Sequence, residues 1–136
     1  MKLKGVVHTD GGARGNPGPA GIGVVIDYNG RQHLYKEYIG EATNNQAEYR
    51  ALIMGLEKAA ALNIEELDVY LDSELVQQQV NGAYKVKNQG LGDLFLKVWN
   101  LKQQFKKIKF IHVMRTSNKL ADKLVNQAID EATKKI

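Results

Sequence analysis

The dipeptide Asn29-Gly30 separates two runs of residues with strand character, 21–28 and 32–39. Asn-Gly between such runs is the strongest short-range signal for a β-hairpin, because both residues tolerate the positive φ angles of a tight turn. An earlier run, 3–10, is rich in β-branched residues and leads into a glycine-rich segment, 11–18, which indicates a loop. The first forty residues therefore predict a three-stranded antiparallel meander.

The chain then changes from strand to helical periodicity. Thr43 and Gln46 form a capping box, and the apolar residues that follow keep helical spacing. A compact strand at 67–72 comes after this first helix. Because a helix separates it from the earlier strands, we expect it to run parallel to one of them.

The second half of the chain is predicted to be mostly helical. Ser73 can cap a short helix that stops near Asn81, and a longer helix follows Gly90. A last strand at 108–113 and a closing helix with an apolar stripe over 121–129 complete the pattern. The predicted fold class is α/β, with a mixed five-stranded sheet in which the antiparallel meander joins parallel strands and helices flank the sheet.

The size and composition fit a single domain over 1–136. The chain has no cysteine, which excludes disulfides and thiolate metal sites and fits a reducing compartment. No segment approaches the roughly 20 apolar residues of a membrane span, and the start lacks a signal-peptide pattern, so we expect a cytoplasmic protein with no membrane partner. Lysine plus arginine outnumber aspartate plus glutamate by 19 to 15, which suits a polyanionic partner but is weak support alone.

Four acidic residues lie where predicted strands end or helices begin: Asp10, Glu48, Asp72 and Asp122. Sites in open sheets form beyond the carboxyl ends of parallel strands, so Asp10 and Asp72 should be neighbours if their strands are. Glu48 borders the packed face of the first helix. Asp122 takes a similar place in the closing helix, four residues after Asn118. All four acids can therefore reach one edge of the sheet.

Each acid taken singly has a plain structural alternative. Asp72 could cap the helix that starts at Ser73, and Asp10 could serve a turn. Several carboxylates packed together, however, raise one another's pKa and destabilise the fold unless a cation relieves the repulsion. Carboxylates without cysteine are ligands for a hard divalent cation. Taken jointly, the acids favour a metal-dependent enzyme that acts on phosphate esters.

Four blocks of sequence, in order and spanning nearly the whole chain, resemble type 1 ribonuclease H. The blocks are Thr9-Asp10-Gly11-Gly12 with Gly15-Asn16-Pro17-Gly18, Thr43-Asn44-Asn45-Gln46-Ala47-Glu48, Asp72-Ser73, and Asn118 with Ala121-Asp122 and Leu124. The fold of that family agrees with the one predicted above. The resemblance implies an endonuclease that hydrolyses the RNA strand of an RNA/DNA hybrid and leaves 3′-hydroxyl and 5′-phosphate ends.

By position, the resemblance assigns catalysis and metal binding to Asp10, Glu48, Asp72 and Asp122. It implies two Mg²⁺ ions, with Mn²⁺ as an alternative. Two such ions about 4 Å apart can activate the attacking water and stabilise the departing 3′ oxygen. Asp10 would bridge the ions, and Glu48 would sense the 2′-hydroxyl that distinguishes RNA from DNA.

The resemblance also implies substrate contacts. The predicted contact residues are Gly11, Gly12, Asn16, Thr43, Asn44, Asn45, Lys85, Lys87 and Arg115. Side-chain amides suit sugar hydroxyls and base edges in a shallow minor groove, and Thr43 matches a contact to a phosphate of the DNA strand. A purely structural alternative remains for these residues. Thr43 could only cap its helix, Asn16 and Asn44 could stabilise turns, and Gly11 and Gly12 could serve a turn.

Three features depart from the pattern of many family members. Residues 114–117 contain no histidine where others carry a flexible histidine loop, and Arg115 could take over a phosphate contact there. The stretch 86–93 is short where others carry a basic protrusion, which leaves Lys85 and Lys87 to contact the DNA strand. Glu74 stands where many members have a neutral residue after Asp-Ser, and its charge is expected to add repulsion near phosphate. Because no core acid is lost, we expect activity with weaker hybrid binding.

Two other classes of function fit the same sequence. A non-catalytic nucleic-acid-binding module would keep hybrid binding and respond little to metal, and the intact acids oppose it. A junction resolvase-type nuclease can share the fold, and fold alone discriminates poorly between such enzymes. The expected partner is an RNA/DNA hybrid, with double-stranded RNA as a further candidate, and the expected state is a monomer.

The remaining conspicuous residues have plainer interpretations. His8 shares a strand face with Asp10, but a lone histidine is more often packed than catalytic, and His33 and His112 are interpreted in the same way. Trp99 is expected to pack with its helix, with stacking on nucleic acid as the alternative. The lysines over 97–109 are expected to form the solvated side of a helix and the turn after it.

Overall fold

The structure is a computed structural model that describes residues 3–82 and 89–134. Five strands and four helices occur in this part of the chain. In order, they are β1 (Lys4–Ala13), β2 (Gly18–Tyr28), β3 (Arg31–Ala42), α1 (Asn44–Ala61), β4 (Glu66–Leu71), α2 (Glu74–Val80), α3 (Gln89–Lys102), β5 (Lys107–His112) and α4 (Lys119–Thr133). A 3₁₀ turn, Arg115–Ser117, precedes α4. None of the helices described is long and apolar enough to cross a membrane.

The strands form one mixed sheet in the order β3-β2-β1-β4-β5. Neighbours among β1, β2 and β3 are antiparallel, and the turn between β2 and β3 has Asn29 at φ 53° and Gly30 at φ 75°. β1 pairs in parallel with β4, and β4 pairs in parallel with β5. The predicted α/β fold class, a meander joined to parallel strands, is confirmed.

The segment 11–18 is not the loop that the sequence predicted. β1 continues through Gly11 and Gly12, which pair with β2, so that residues 14–17 alone connect the two strands. The prediction took consecutive glycines as turn formers, which is their commonest use. Here packing requires Gly11, because a Cβ at that position would lie 2.1 Å from the carbonyl oxygen of Ala47 in α1.

Different helices cover the two faces of the sheet. α1 packs on β1 and β2, and α3 packs on α1. Successive strand residues point to opposite faces. In β2, Val24 belongs to the main core with Leu52 of α1, whereas Val25 packs with Ala121 and Leu124 of α4. The sheet is therefore buried by α1 on one side and by α4 on the other.

Glycines on β2 let α4 lie close to the sheet. A Cβ at Gly23 would be 2.4 Å from the carbonyl oxygen of Ala121, and a Cβ at Gly21 would be 2.9 Å from that of Val125. Real Cβ atoms do not approach other atoms so closely. Both helices that carry predicted catalytic acids thus contact the sheet at glycine positions.

The predicted helix caps are confirmed. The Gln46 N–H donates to Thr43 Oγ1 at 3.1 Å, and the Thr43 N–H donates to Gln46 Oε1 at 2.8 Å. The Val76 N–H donates to Ser73 Oγ at 3.3 Å. Because these caps satisfy backbone groups at the helix ends, they fix where α1 and α2 begin.

The packed interpretation is confirmed for His8 and holds only in part for Trp99. His8 stacks on Tyr70 with 5.1 Å between ring centroids, and burial lowers the pKa of its imidazole. Trp99 stacks on Phe95 but is 47% exposed, with the Lys102 ammonium 3.9 Å from its ring centroid. Its place at the margin of the apolar stripe of α3 leaves half of the large ring in solvent.

Alanine substitution at the two adjacent glycines separates their roles. Gly11→Ala should lower the free energy of unfolding by about 2 to 3 kcal/mol or more, because the new Cβ overlaps the backbone of α1. Gly12→Ala should change it by less than about 1 kcal/mol, because its Cβ would meet Val125 Cγ1 at 3.7 Å, an ordinary contact. Urea unfolding of both variants measures the difference, and equal effects would contradict the packing role of Gly11.

Candidate active site

The parallel pairing of β1 with β4 places two carboxylates side by side. The register pairs His8 with Tyr70 and Thr9 with Leu71, so the next residues along, Asp10 and Asp72, are neighbours. Asp10 is still within β1, and Asp72 is the first residue after β4. The structure brings these two acids together as the sequence predicted.

Glu48 joins them from the first turns of α1. One carboxylate oxygen from each of Asp10, Glu48 and Asp72 lies within 4.8 Å of the others. Asp10 is 4% exposed and Glu48 is 8% exposed, and the side chain of Asp72 is 8% exposed. We call these three residues the acid triad. Its carboxylates are crowded at one point with little access to bulk water.

Hydrogen bonds to the backbone of β1 hold the triad in place. The Gly11 N–H donates to Oε1 of Glu48, so the strand that carries Asp10 also orients Glu48. The Asn118 side-chain amide, which is buried, donates to the Thr9 carbonyl oxygen at 2.8 Å. This bond ties the residue before Asp10 to the start of α4. In the sequence, Asn118 is recognisable only as part of a motif, and its contact with β1 cannot be predicted from residue spacing.

Burial and neighbouring negative charges shift the ionisation of Asp10 and Glu48. Burial, followed by the negative charge of Asp72, raises the pKa of Asp10 to about 7, and the charge of Asp122 adds to the same effect. Burial and then the charge of Asp10 raise the pKa of Glu48 well above its usual value. Without a cation, Asp10 and Glu48 therefore keep protons at a pH where exposed carboxylates have lost them.

The donor atoms of the triad suit a hard divalent cation. Mg²⁺ binds oxygen ligands at about 2.1 Å in an octahedron, so ligands of one ion lie about 3 to 4 Å apart. The triad oxygens are close to that spacing. In the described part of the chain, Oδ2 of Asp72 is buried and has no hydrogen-bond partner. A bound cation would give this oxygen the partner that buried polar atoms normally have.

Asp122 lies in the first turn of α4, beside the triad. It lines a hollow of about 270 Å³ together with Asp10, Gly12 and Arg115, which we call the α4 hollow. The carboxylate of Asp122 does not belong to the group of triad oxygens that lie within 4.8 Å of one another. All four predicted acids therefore meet at one edge of the sheet, three in close contact and the fourth next to them.

A second hollow of about 290 Å³, the triad hollow, opens over the three carboxylates. Gly11, Gly12, Asn44 and Asn45 line it, and the sequence predicted all four as substrate contacts. The two glycines leave the strand backbone uncovered there. The triad hollow is thus a polar surface that leads directly to the acids.

Asn16 and Asn44 also stabilise the local structure. The Ala13 N–H donates to Asn44 Oδ1 at 2.9 Å, and the Asn44 N–H donates to Asn16 Oδ1 at 3.0 Å. Thr43 uses its hydroxyl to cap α1. The structural alternative is therefore observed for all three residues. Because the asparagine bonds use the side-chain oxygens, the amide NH₂ groups can still donate to a ligand.

Of the predicted cationic substrate contacts, the described residues include Arg115 alone. Arg115 lines both hollows, with Nε 3.9 Å from Asp72 Oδ2 and its side chain 80% exposed. Lys85 and Lys87 lie outside the described residues. Sequence reasoning missed Arg14, which also lines the α4 hollow. Its place in the glycine-rich segment, four residues after Asp10, was the available signal.

Comparisons with known proteins show the family to which the chain is related. A family model described as reverse transcriptase-like matches residues 8–128. Ribonuclease HI of Halobacterium salinarum is 41% identical over 133 residues, which cover 94% of this chain and 66% of that protein. The solved N-terminal RNase H domain of Rv2228c from Mycobacterium tuberculosis has a TM-score of 0.92 at 44% identity, with 96% of each chain covered. This chain belongs to the type 1 ribonuclease H family.

A third ribonuclease H relative adds a ligand. LC11-RNase H1, solved in complex with an RNA/DNA hybrid, is 47% identical with a TM-score of 0.88, and the match covers 94% of this chain and 98% of that one. The full mycobacterial protein, named bifunctional protein Rv2228c, is 45% identical over 133 residues, and this chain spans 36% of its length. The resemblance carried by the four sequence blocks is confirmed.

The ionisation of the triad predicts a pH dependence of stability for the metal-free protein. Between the usual pKa of 3.8 and the raised value of about 7, folded Asp10 binds more protons than unfolded Asp10. The stability contribution of Asp10 therefore falls as pH rises through this window, by on the order of 4 kcal/mol. Urea unfolding of the wild type and Asp10→Asn in chelator at several pH values measures it as a difference.

The wild type should lose stability relative to Asp10→Asn from about pH 4 to pH 7, because an amide does not titrate. Millimolar Mg²⁺ should reduce the loss, since a cation binds the deprotonated carboxylates. Parallel pH profiles of the two proteins in chelator would contradict the raised pKa of Asp10.

Proposed function

We propose that this ribonuclease H domain is an endonuclease that hydrolyses the RNA strand of RNA/DNA hybrids. The acid triad is the observation that carries the proposal, since three buried carboxylates within 4.8 Å need a cation to be fully ionised. Support for the substrate comes from LC11-RNase H1, a relative of 47% identity that was solved with such a hybrid. The proposed products carry 3′-hydroxyl and 5′-phosphate ends.

The chain provides residues for the metal ions that such hydrolysis requires. Asp10, Glu48 and Asp72 would hold one divalent cation, and Asp122 beside Asp10 would help to hold a second. When bound, the ions polarise the scissile phosphate and lower the pKa of the attacking water. We propose Mg²⁺ as the physiological ion, with Mn²⁺ as an alternative, because both prefer carboxylate oxygen.

Selection of RNA would come from the polar lining of the triad hollow. The 2′-hydroxyl of RNA is both a donor and an acceptor, so it can donate to a carboxylate oxygen and accept from an amide. Glu48 uses Oε1 for the Gly11 N–H, and Asn44 and Asn45 line the same hollow. A deoxyribose offers no such partner and would leave these groups without compensation.

The alternatives make different demands on the same site. A non-catalytic binding module has no need for carboxylates that destabilise one another, and the triad is complete. A junction resolvase-type nuclease would use the acids but not the 2′-hydroxyl. The single domain over 1–136, a monomeric state, a cytoplasmic location and activity on double-stranded RNA stay predictions.

Asp10→Asn should lower the rate of hybrid cleavage by at least about a thousandfold, because it removes a charged metal ligand at the centre of the site. Asp93→Asn is the matched control, because Asp93 is an exposed acid on α3. It should cleave like the wild type. Thermal unfolding of both variants checks that the fold is kept.

The assay uses a labelled RNA/DNA hybrid, the matched single strands, double-stranded RNA and a four-way DNA junction, each with Mg²⁺, Mn²⁺ or chelator. The proposal expects metal-dependent cutting of RNA within the hybrid. Binding of the hybrid without cutting in either metal would favour the binding module. Cutting of the junction but not of the hybrid would favour the resolvase.

A further inference from the structure

We propose that Arg14 binds a backbone phosphate of the strand being cut, next to the scissile position. The inference rests on the proposed function, because it assumes a nucleic acid across the acid triad. Nothing in the four sequence blocks that resemble the family assigns a role to Arg14.

The position of Arg14 follows from its contacts with α4. Its Nη2 donates to Asn126 Oδ1 at 3.2 Å, and its Nη1 lies 2.6 Å from Asp130 Oδ1. Asn126 is four residues after Asp122, so their side chains are neighbours on one helix face, about 5 to 6 Å apart at Cβ. The guanidinium therefore lies about one helical turn from a predicted catalytic acid, along the α4 hollow.

The hollow needs positive charge if a phosphate backbone is to cross it. Asp10 and Asp122 line it, and the cationic side chains among its described lining residues are Arg14 and Arg115. Arg115 also lines the triad hollow and lies near Asp72, whereas Arg14 contacts Asn126 and Asp130, further along α4 than Asp122. The two arginines thus flank the acids, and each can neutralise phosphates on one side of the cut.

The backbone at Arg14 is held without help from its side chain. The Arg14 N–H donates to the Pro19 carbonyl oxygen at 2.8 Å. A Cβ at Gly18 would lie 2.0 Å from the Arg14 carbonyl oxygen, so the two ends of the turn pack directly on each other. The Ala13 N–H is bonded to Asn44. The guanidinium is therefore not required to close the turn.

The present partner of Arg14 can be exchanged at little cost. The side chains of Arg14 and Asp130 are 45% and 65% exposed, and surface ion pairs of this kind contribute little to stability. The guanidinium now contacts one oxygen of Asp130 and one of Asn126. A phosphate has two oxygens that can accept hydrogen bonds from the same two nitrogens. In the free protein, Asp130 would hold the fork in place beside the hollow until the substrate arrives.

Steady-state kinetics on the RNA/DNA hybrid in Mg²⁺ tests the inference. Arg14→Ala should raise KM by about tenfold and change kcat by less than about twofold, because it removes a charge-assisted hydrogen bond away from the reacting atoms. The slope of log KM against log salt concentration should decrease by about 1, which corresponds to the loss of one phosphate contact. Arg14→Lys should recover part of the loss, since it keeps the charge without the fork.

Two control variants separate phosphate binding from a structural role. Asp130→Ala breaks the same ion pair but keeps Arg14, so its KM should equal or fall below that of the wild type. Lys36→Ala breaks a similar ion pair, in which Lys36 of β3 lies 2.7 Å from Glu131 of α4, and should leave KM unchanged. Equal increases of KM in Arg14→Ala and Asp130→Ala would overturn the inference.

A substrate with one neutral methylphosphonate linkage identifies the phosphate. Moving that linkage along the RNA strand should reveal one position at which wild type and Arg14→Ala have the same KM, since the partner of Arg14 is then missing. A penalty that persists at every position would overturn the inference while the enzyme remains active. If the wild type cuts no hybrid, the proposed function fails and the inference fails with it.

Discussion

The close approach of α1 to β1 at Gly11 is the contact on which the catalytic geometry depends. Because glycine has no side chain, the backbone of the helix reaches the strand, and the Gly11 N–H can donate to Glu48. That carboxylate then lies beside Asp10, which follows Thr9 in the same strand. α4 approaches β2 at Gly23 in the same way and brings Asp122 to the edge. Glycines on two strands therefore let helices on opposite faces bring acids to one point.

The same closeness makes the site unfavourable in the absence of a ligand. Burial and neighbouring negative charges raise the pKa of Asp10 and Glu48, and the well-packed core of the sheet and α1 must offset the cost of crowding these carboxylates. Functional sites often break the rules that the rest of a fold obeys. The arrangement serves the site, because Oδ2 of Asp72, which has no hydrogen-bond partner, and the neighbouring carboxylates are already placed for a cation. A polyanionic substrate would then meet positive charge at the centre of the site and arginines at its sides.

The sequence was sufficient to predict most of the fold and the meeting of the four acids at one edge of the sheet, whereas individual long-range contacts were not predictable. The hairpin at Asn29-Gly30 and the capping box at Thr43 depend on neighbours within a few residues, so the sequence displays them directly. The extension of β1 through Gly11 depends on a helix more than thirty residues away, and a glycine pair looks the same in a turn and in a tight contact. The contacts of Asn118 with Thr9 and of Arg14 with α4 span more than a hundred residues. Patterns of residue spacing predict contacts only between residues close together in the sequence.

A crystal structure of the protein grown with Mn²⁺ would show whether the acid triad holds a metal ion, since the anomalous scattering of manganese locates each ion without assuming its ligands. We expect a peak within about 2.5 Å of carboxylate oxygens from Asp10, Glu48 and Asp72. Asp10→Asn should lose that peak while the fold stays the same. Well-ordered carboxylates with no manganese among them at millimolar Mn²⁺, or manganese bound only elsewhere, would contradict the claim that the sheet edge is built to hold a metal ion.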